Sequence, residues 1–448
     1  MVNIMTKRKI VALACMVWLF AWNVCAQSSS DGGVRSDSLV ARFLRESGVR
    51  TTDGNSVHFL TTGHDKFVDL FEEVKNAKSF IHLEYFNFRN DSIAGLLFHL
   101  LAEKASEGVE VRALYDAFGN ASNNKPIDRH MHDSICGLGI KLVKFDPLRF
   151  PWVNHIIPRD HRKIVVIDGR VAYTGGMNVA DYYIEGIPGI GDWHDMHMHL
   201  EGPVVDDLHN IFCRMWWEAT GEMLVGGKYF PNRAESAGAH GTGENPDAAA
   251  VAANGSRPEQ SGHTDAGVRL AVVDRHANKT PSAIRDLFAE MLNTAQHRVM
   301  IINPYFVPTH KVRKALKKAI DRGVDVQILL SAKSDIPLTP EASHYVGNNL
   351  AKRGAKVYLY HGGFHHTKIM MVDDLYCTVG SSNMDSRSLR CDYEVNTVIF
   401  DRGKTAELVR LFNEQLKSST RMEKGYWSTR TTGKKFQGWF GNLLTPVL

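Results

Sequence analysis

Hydrophobic and polar positions follow helical and strand periods along most of this chain, and the same succession appears twice. In the first half the helical pattern LLFHLLAEKASEG leads into the apolar run VEVRALYD, and LGIKLVKFD follows. In the second half VRKALKKAIDRG leads into VDVQILLSAKSD, and RGAKVYLYHG follows. Each half predicts helix, strand, helix, strand, strand hairpin and helix. We therefore predict an α/β fold of two similar α/β/α layered halves with mixed sheets.

The spacing of matching residues indicates a duplication. Gly108 matches Gly323 and Gly139 matches Gly354, and the number of residues between the two members is the same in both pairs. Residues 234–267 lack an apolar period and are rich in Gly, Ala and Pro, which predicts a flexible linker. The chain then divides into a first half at 38–233 and a second half at 268–416.

The first 26 residues differ from the rest of the chain. Lys7, Arg8 and Lys9 precede the apolar run IVALACMVWLFAW, and small residues follow up to Ala26. This pattern predicts a signal peptide at 1–26, with an uncleaved membrane anchor as the alternative. Either places the body of the protein outside the cytoplasm, or across the membrane from the basic end.

Charge and cysteine content narrow the class of protein. The formal charge of +4 includes three basic residues of the leader, so the remaining chain is nearly neutral and wholesale nucleic-acid binding is not indicated. Beyond the leader, Cys136, Cys213, Cys377 and Cys391 are widely spaced and form no C-x-x-C pair. Thiolate zinc and a disulfide scaffold are therefore disfavoured, while a single disulfide stays open.

Two segments of equal spacing carry the candidate chemistry, HRKIVVIDGRVAYTGGMN from His161 and HTKIMMVDDLYCTVGSSN from His366. Residues i and i+2 of a strand face the same side. His161 with Lys163, and His366 with Lys368, therefore project as pairs. A pseudo-twofold assembly would bring both pairs to one site.

The rest of each segment combines turn residues with polar groups. Asp168 and Asp373 stand in turn-forming dipeptides, so we expect them at hairpin ends in a supporting or structural role. Glycine-containing turns then lead to Asn178 and Asn383, where the backbone can approach a ligand closely. The second turn carries Ser381 where the first has a glycine.

Two histidines, two lysines and two asparagines around one pocket suit a phosphodiester. The ammonium and amide groups bind anionic oxygens and the charge that develops in the transition state. One imidazole can attack phosphorus, while the other protonates the leaving alkoxide and later deprotonates an incoming alcohol or water. An ordinary histidine pKa of ~6.5 permits both roles near neutral pH.

Both segments match the His-x-Lys-x4-Asp motif of the phospholipase D superfamily, and the chain resembles bacterial cardiolipin synthases from about 59 to 412. The match includes IHLEYFNF, NPYFVPTHKVRKALKKAIDRGVDVQILL, GDWHDMHMHLEGPVV and SSNMDSRSLRCDYEVNTVIFD. The resemblance implies one active site shared by the two halves. It also implies two-step phosphatidyl transfer between two phosphatidylglycerol molecules through a phosphohistidine, without a metal or other cofactor. The implied setting is the membrane surface of a bacterial cell envelope.

The resemblance also implies roles residue by residue. The implied catalytic residues are His161, Lys163, Asp168, His366, Lys368 and Asp373. The implied phosphate-binding residues are Asn178, Asn383 and Ser381. Asp195 and Glu394 are candidate orienting carboxylates, each bound to the far nitrogen of an imidazole. Which histidine each carboxylate serves stays open here, and His161 is assigned as nucleophile by resemblance alone.

Three alternatives and one further segment complete the predictions. Water as acceptor would make the protein a hydrolytic phospholipase D, and a nuclease of the same superfamily is disfavoured by the charge. His197 and His199 share a strand face, as a metal pair would, but no further ligand signature accompanies them. Residues 417–448 form a basic, aromatic tail that either seats the protein on an anionic bilayer or is merely solvated.

Overall fold

Helices and strands of both halves are built on one long mixed sheet. This computed structural model describes residues 34–147, 158–231, 267–336 and 339–443. The predicted leader, 1–26, lies outside the described residues, and so does the predicted linker, 234–267, except for its last residue. In the ranges described, no helix is both long and apolar enough to cross a bilayer.

The first half alternates helices with strands up to a long closing helix. Several helices begin at side-chain caps, such as Thr62, whose hydroxyl accepts from the Asp65 N–H at 3.0 Å. The elements are α1 (Ser36–Glu46), β1 (Thr51–Leu60), α2 (Gly63–Asn76), β2 (Phe80–Tyr85), α3 (Ser92–Ser106), β3 (Glu110–Asp116), α4 (Ala117–Ala121), α5 (Arg129–Gly137), β4 (Lys141–Phe145), β5 (Lys163–Ile167), β6 (Val171–Gly175), α6 (Tyr182–Glu185), β7 (Trp193–His194), β8 (His197–Glu201) and α7 (Val204–Thr220).

The second half repeats this succession and then adds C-terminal elements. Its elements are β9 (Val268–Arg275), α8 (Ala283–Thr294), β10 (Arg298–Ile302), α9 (His310–Asp321), β11 (Asp325–Ser331), α10 (Thr339–Ala351), β12 (Lys356–Tyr360), β13 (Phe364–His365), β14 (Ile369–Val372), β15 (Tyr376–Gly380), α11 (Ser386–Arg390), β16 (Glu394–Phe400), α12 (Arg402–Leu416), β17 (Ser419–Arg421), α13 (Tyr426–Thr429) and α14 (Thr432–Leu443).

The strand order repeats outwards from the junction of β1 and β9. It is β1-β8-β6-β5-β2-β3-β4 in the first half and β9-β16-β15-β14-β10-β11-β12 in the second, with β17 beyond β12. β2, β3 and β4 run parallel to one another, and so do β10, β11 and β12, while the strands nearer the junction and the added strand β17 pair antiparallel. β1 pairs antiparallel with β9, so that Thr51 lies opposite Ala271. Antiparallel pairing of equivalent strands relates the halves by a pseudo-twofold axis and confirms the predicted fold class.

Helices cover both faces of the sheet. One apolar core lies under α2 and α3 in the first half, and a second lies under α8 and α9 in the other half. The third core lies under α7 and α12 on the opposite face, and it joins Ile164 and Leu208 of the first half to Ile369 and Leu408 of the second. Each fully buried side chain of this kind contributes about 1.5–3 kcal/mol. This shared core holds the halves in register.

Two parts of the fold differ from the pattern that the sequence predicts. The sequence predicts that the repeated succession begins with a helix in each half, but strands β1 and β9 precede those helices, α2 and α8, and join the halves. The segment from 417 predicts a tail, yet up to residue 443 it is built into the fold. Strand β17 pairs with β12, and α14 packs against α10.

The motif aspartates lie at the far ends of the hairpins from the histidines. Asp168 adopts a φ of 55° in the β5–β6 turn, and its carboxylate accepts from the backbone N–H groups that begin β2, at 2.7–2.9 Å. Asp373 makes the equivalent three bonds before β10 at 2.7–2.9 Å. An extended strand separates each aspartate from its histidine by roughly 20 Å. The structure therefore does not bring Asp168 and Asp373 into the implied catalytic set, because their carboxylates fasten a turn to the neighbouring strand.

We expect Asp168→Ala to lower the free energy of unfolding by about 1–3 kcal/mol, because three backbone donors lose their acceptor. Asp168→Asn, which keeps one acceptor oxygen, should lower it less. Chemical denaturation of both variants measures the difference. A loss of more than a hundredfold in kcat by a fully folded Asp168→Asn protein would return this residue to the catalytic set.

Candidate active site

The two histidines lie where the backbones of the halves meet. His161 precedes β5, and its N–H donates to the Tyr393 carbonyl at 3.0 Å. His366 precedes β14, and its N–H donates to the His194 carbonyl at 2.6 Å. These equivalent bonds fix the start of each histidine strand against the other half of the chain.

The orienting carboxylates are exchanged between the halves. His161 Nδ1 lies 3.0 Å from Glu394 Oε1, and His366 Nδ1 lies 2.6 Å from Asp195 Oδ2. Each acid thus serves the histidine of the other half, which settles the question that the sequence leaves open. A carboxylate at Nδ1 holds the proton there and leaves Nε2 with its lone pair. Both rings line one cavity of about 910 Å³.

The motif lysines are buried beside their histidines. Lys163 Nζ donates to the His161 carbonyl at 2.5 Å, and Lys368 Nζ donates to the His366 carbonyl. Neither side chain is appreciably exposed. Both ammonium groups therefore lie directly behind the two histidines that line the cavity, where their charge favours an anionic ligand.

The two asparagines line the same cavity, and each is held by a buried residue behind it. Lys66 Nζ donates to the Asn178 carbonyl at 2.9 Å. In the second half, Asn303 Oδ1 accepts from the N–H of Met384, the residue after Asn383, at 2.9 Å. The loops that carry the amides are therefore fixed before a ligand binds.

The first motif has Gly176 where the second has Ser381, and the acid beside this position is the shorter Asp195 in the first half and the longer Glu394 in the second. In the first half a side chain at Gly176 would collide with the carboxylate of Asp195. In the second half the longer Glu394 leaves room for Ser381, whose hydroxyl donates to Glu394 Oε2 and accepts from the Val395 N–H at 3.0 Å. Ser381 is thus directed at the carboxylate and not at the cavity, which corrects its implied phosphate-binding role.

The surroundings of the two histidines are chemically different. Arg159 and Arg162, which lie on either side of His161, are fully buried. Arg162 pairs with Asp274 at 2.5 Å, and Arg159 pairs with Asp146 at 2.6 Å.

Around the second histidine the neighbours are aromatic. The His366 ring lies 5.3 Å from Trp193, 5.6 Å from Phe364 and 5.9 Å from Tyr305 between ring centroids. The pseudo-twofold axis therefore relates a histidine with two flanking buried arginines and one aromatic neighbour, Phe86 at 5.1 Å, to a histidine with three aromatic neighbours.

The alternative metal pair does not form a cluster. His197 is buried in β8, while His199 bonds the Asp69 carboxylate at 2.8 Å. Within the described ranges no three His, Cys, Asp or Glu side chains are arranged to hold a metal ion.

Several residues of the cavity wall were not candidates from the sequence. Trp193 stands two residues before Asp195, and Asp392 stands two residues before Glu394, so the spacing to the acids is the signal that would have found them. Arg387 also lines the cavity, four residues after Asn383.

Comparison with known proteins agrees with this geometry. A sequence model described as "Cardiolipin synthase, PLD-like domain" matches residues 70–216 and 288–417. The chain belongs to the cardiolipin synthase family of phospholipase D-like proteins.

Curated relatives of this family match most of the chain. The chain is 32% identical over 408 residues to a probable cardiolipin synthase of Bacillus subtilis (strain 168), covering 90% of this chain and 75% of that protein. It is 32% identical over 390 residues to a cardiolipin synthase of Geobacillus sp. (strain WCH70), covering 87% and 72%.

Solved structures share the fold of this family member at low sequence identity. The phosphatidylserine synthase of Haemophilus influenzae Rd KW20 superposes with a TM-score of 0.65 at 13% identity, over 92% of this chain and 100% of that one. The polyphosphate kinase of Porphyromonas gingivalis gives a TM-score of 0.51 at 13% identity, over 83% and 49%.

Burial sets the charge states of the imidazoles. It lowers the pKa of His161 to about 4, with Lys163 adding to the effect and Glu394 opposing it. Burial and Lys368 likewise lower the pKa of His366. His161 is therefore neutral at pH 7, which is the form in which an imidazole can act as a nucleophile.

The carboxylates remain ionised despite burial. Burial alone would raise the pKa of Asp195, but Lys368 and His366 outweigh it and hold the pKa below its usual value. His161 and Lys163 do the same for the pKa of Glu394. The ammonium forms of Lys163 and Lys368 thus offset the charges of these two carboxylates.

We expect kcat/KM to fall as pH rises through about 7–8. Burial lowers the pKa of Lys163 to about 7 and that of Lys368 to about 8, so the cationic forms that would bind a phosphate are lost in this range. A pH–rate profile with a soluble short-chain phosphatidylglycerol tests this. A kcat/KM that stays flat to pH 10 would contradict it.

Proposed function

We propose that this protein is a phosphatidyltransferase that joins two phosphatidylglycerol molecules into cardiolipin and releases glycerol. The observation that carries the proposal is the exchange of carboxylates, which bind Nδ1 of both His161 and His366 and leave Nε2 as the available nitrogen of two rings that line one cavity. Membership of the cardiolipin synthase family supports the lipid substrate.

In the first step His161 Nε2 attacks the phosphorus of one phosphatidylglycerol. The P–N bond forms, the bond to the glycerol oxygen breaks, and His366 gives a proton to the leaving alkoxide. Negative charge gathers on the phosphoryl oxygens, where Lys163, Lys368 and the amides of Asn178 and Asn383 offer donors. The negative charge of the substrate phosphate also raises the pKa of the nearby His366 imidazole. His366 can then carry the proton that it gives to the leaving alkoxide.

In the second step a hydroxyl of a second phosphatidylglycerol gives its proton to His366 and attacks the phosphohistidine. The P–N bond breaks, cardiolipin is released and His161 becomes neutral again. Glu394 stabilises the charge on His161 between the steps, at 3.0 Å from Nδ1. The proposed reaction uses no cofactor.

Hydrolysis is the second candidate. The same cavity would yield phosphatidic acid if water reached the phosphohistidine before the lipid hydroxyl. A nucleic-acid substrate fits less well, because the chain beyond the leader is nearly neutral.

The C-terminal helix supports action at a membrane surface. In α14 Gly438 faces inward, because a side chain there would come within 2.7 Å of the Glu341 carbonyl oxygen on α10. Phe436, Trp439 and Phe440 are left 59%, 50% and 37% exposed. A helix that packs glycine inward and exposes aromatic rings suits insertion among lipid headgroups.

This helix lies beside the cavity, because Thr339 and Ala342 of α10 form part of the cavity wall. We propose that α14 and its lysines seat the cavity on the anionic surface of a bacterial envelope membrane. The leader predicted at 1–26 would place this body outside the cytoplasm.

Purified protein incubated with phosphatidylglycerol vesicles should produce cardiolipin and glycerol in equal amounts. His161→Ala and His366→Ala should each lower the rate at least about a hundredfold, because nucleophile and acid act in series. His99→Ala on the exposed face of α3 is the matched control. Phosphatidic acid as the main product, or near-normal turnover by either histidine variant in a folded state, would contradict the proposal.

Replacing Phe436, Trp439 and Phe440 by Ser should weaken vesicle binding and raise the ratio of phosphatidic acid to cardiolipin, since a loosely seated cavity admits water. Replacing Val68, Leu96 and Leu138 by Ser is the matched control, because these apolar side chains are 58%, 54% and 54% exposed on the first half. Product analysis on anionic vesicles measures the ratio. Equal ratios and binding in the two variants would show that α14 has no special role.

A further inference from the structure

One arginine faces the cavity outside the His-Lys-Asn set. Arg387 lies in α11 of the second half, and its guanidinium packs over the Phe118 ring of the first half at 5.5 Å. Its Nε donates to Asp392 Oδ2 at 2.7 Å. Within the part of the chain that the structure describes, its terminal nitrogens make no hydrogen bond, and the side chain is 30% exposed on the cavity wall.

Arg387 is close to the reacting centre. Asp392, its ion-pair partner, also accepts from the N–H of Arg159, two residues before His161, at 3.0 Å. Phe118 neighbours Phe86 through α4, and the Phe86 ring lies 5.1 Å from the His161 ring. The guanidinium therefore lies beside the wall that holds the proposed nucleophile.

A synthase of this kind must hold two phosphates. The acceptor phosphatidylglycerol carries its own phosphate three carbons from the hydroxyl that attacks. The two motif lysines neutralise the phosphate that reacts, and the acceptor phosphate needs a partner of its own in a cavity where an unpaired charge is costly. A guanidinium offers several N–H donors in the geometry that phosphate oxygens accept.

We propose that Arg387 binds the phosphate of the acceptor lipid and so favours a phosphorylated glycerol over water or an uncharged alcohol. This rests on the proposed synthase function and names the residue that selects its second substrate. Hydrolysis would have no use for such a site, because water carries no phosphate.

The carboxylates on the same wall are already engaged. Asp385 Oδ1 accepts from the Ser388 N–H at 2.8 Å, and Asp335 Oδ1 accepts from the Tyr305 hydroxyl at 2.6 Å. Burial raises the pKa of Asp385 and of Asp392 to about 7, so neither carries a full negative charge at neutral pH. These acids therefore repel an anion beside Arg387 less than their number suggests.

Two other cations line the cavity and are less well placed. Arg89 packs on Tyr182 at 5.5 Å and pairs with Asp91 at 3.7 Å, and Lys125 lies on an exposed stretch after α4. They serve as comparison positions in the test.

Soluble acceptors separate phosphate recognition from membrane binding. With phosphatidylglycerol as donor, labelled glycerol gives labelled phosphatidylglycerol, and labelled glycerol 3-phosphate gives labelled phosphatidylglycerol phosphate. In both, the P–N bond of the phosphohistidine breaks and a P–O bond forms to the acceptor hydroxyl, whose proton goes to His366. The ratio of kcat/KM for glycerol 3-phosphate to kcat/KM for glycerol measures how strongly the enzyme selects an acceptor that carries a phosphate.

We expect the wild-type protein to prefer glycerol 3-phosphate, and Arg387→Gln to lower this preference about tenfold or more, as loss of a charged hydrogen bond does. Arg387→Lys should restore part of it. Arg390→Gln, an exposed arginine of the same helix, is the matched control and should leave the preference unchanged. If Arg387→Gln leaves Asp392 unpaired and unfolds the protein, Arg387→Gln with Asp392→Asn removes both charges and tests the same ratio.

An unchanged preference in folded Arg387→Gln protein would overturn the inference, and so would an equal loss of transfer to both acceptors. A loss found with Arg89→Gln or Lys125→Gln and not with Arg387→Gln would move the site and overturn the assignment. Wild-type protein that forms phosphatidic acid and no cardiolipin on vesicles would instead overturn the proposed function. The vesicle products and the acceptor ratio therefore distinguish the two failures.

Discussion

Each histidine of the candidate site is held by a carboxylate that belongs to the other half of the chain. His161 is bound by Glu394 and His366 by Asp195, so neither half alone contains a complete imidazole–carboxylate pair of this site. The pairs form only because β1 and β9 join the two sheets edge to edge and a common core holds them in register. The exchange therefore depends on the long sheet and the common core, which also form the backbone bonds beside each histidine and the cavity that both rings line.

A symmetric scaffold carries two unlike environments. In the proposed mechanism, the charges around His161 would stabilise a phosphohistidine, and the aromatic rings around His366 would limit the access of water to the proposed acid. Two equal halves would give two equal histidines, whereas the proposed reaction needs one nucleophile and one acid. The difference arises from residues on either side of the motifs, such as Arg162 and Trp193, and not from the motifs themselves.

The sequence predicts the parts of the site that depend on local spacing. Residues two apart on a strand share a face, so the pairing of His161 with Lys163 follows from the sequence, and the turn dipeptide at Asp168 indicates a hairpin end. The partner of Glu394 does not follow, because it depends on the pairing of β1 with β9. Strand β1 has few apolar residues and a bulge near Asn55, so the alternation of apolar and polar residues that indicates a strand is weak there. The place of Arg387 also does not follow from the sequence, since only the fold brings this residue to the wall of the cavity.

The central claim is that the two halves form one reaction centre with one nucleophile. Rapid acid-free quenching of the enzyme during turnover of labelled phosphatidylglycerol, followed by mass analysis of the intact chain and its peptides, tests this claim most directly. One phosphatidyl group per chain, on the peptide of His161, is the expected result. Two phosphatidyl groups per chain, or one phosphatidyl group on the peptide of His366 alone, would contradict the account.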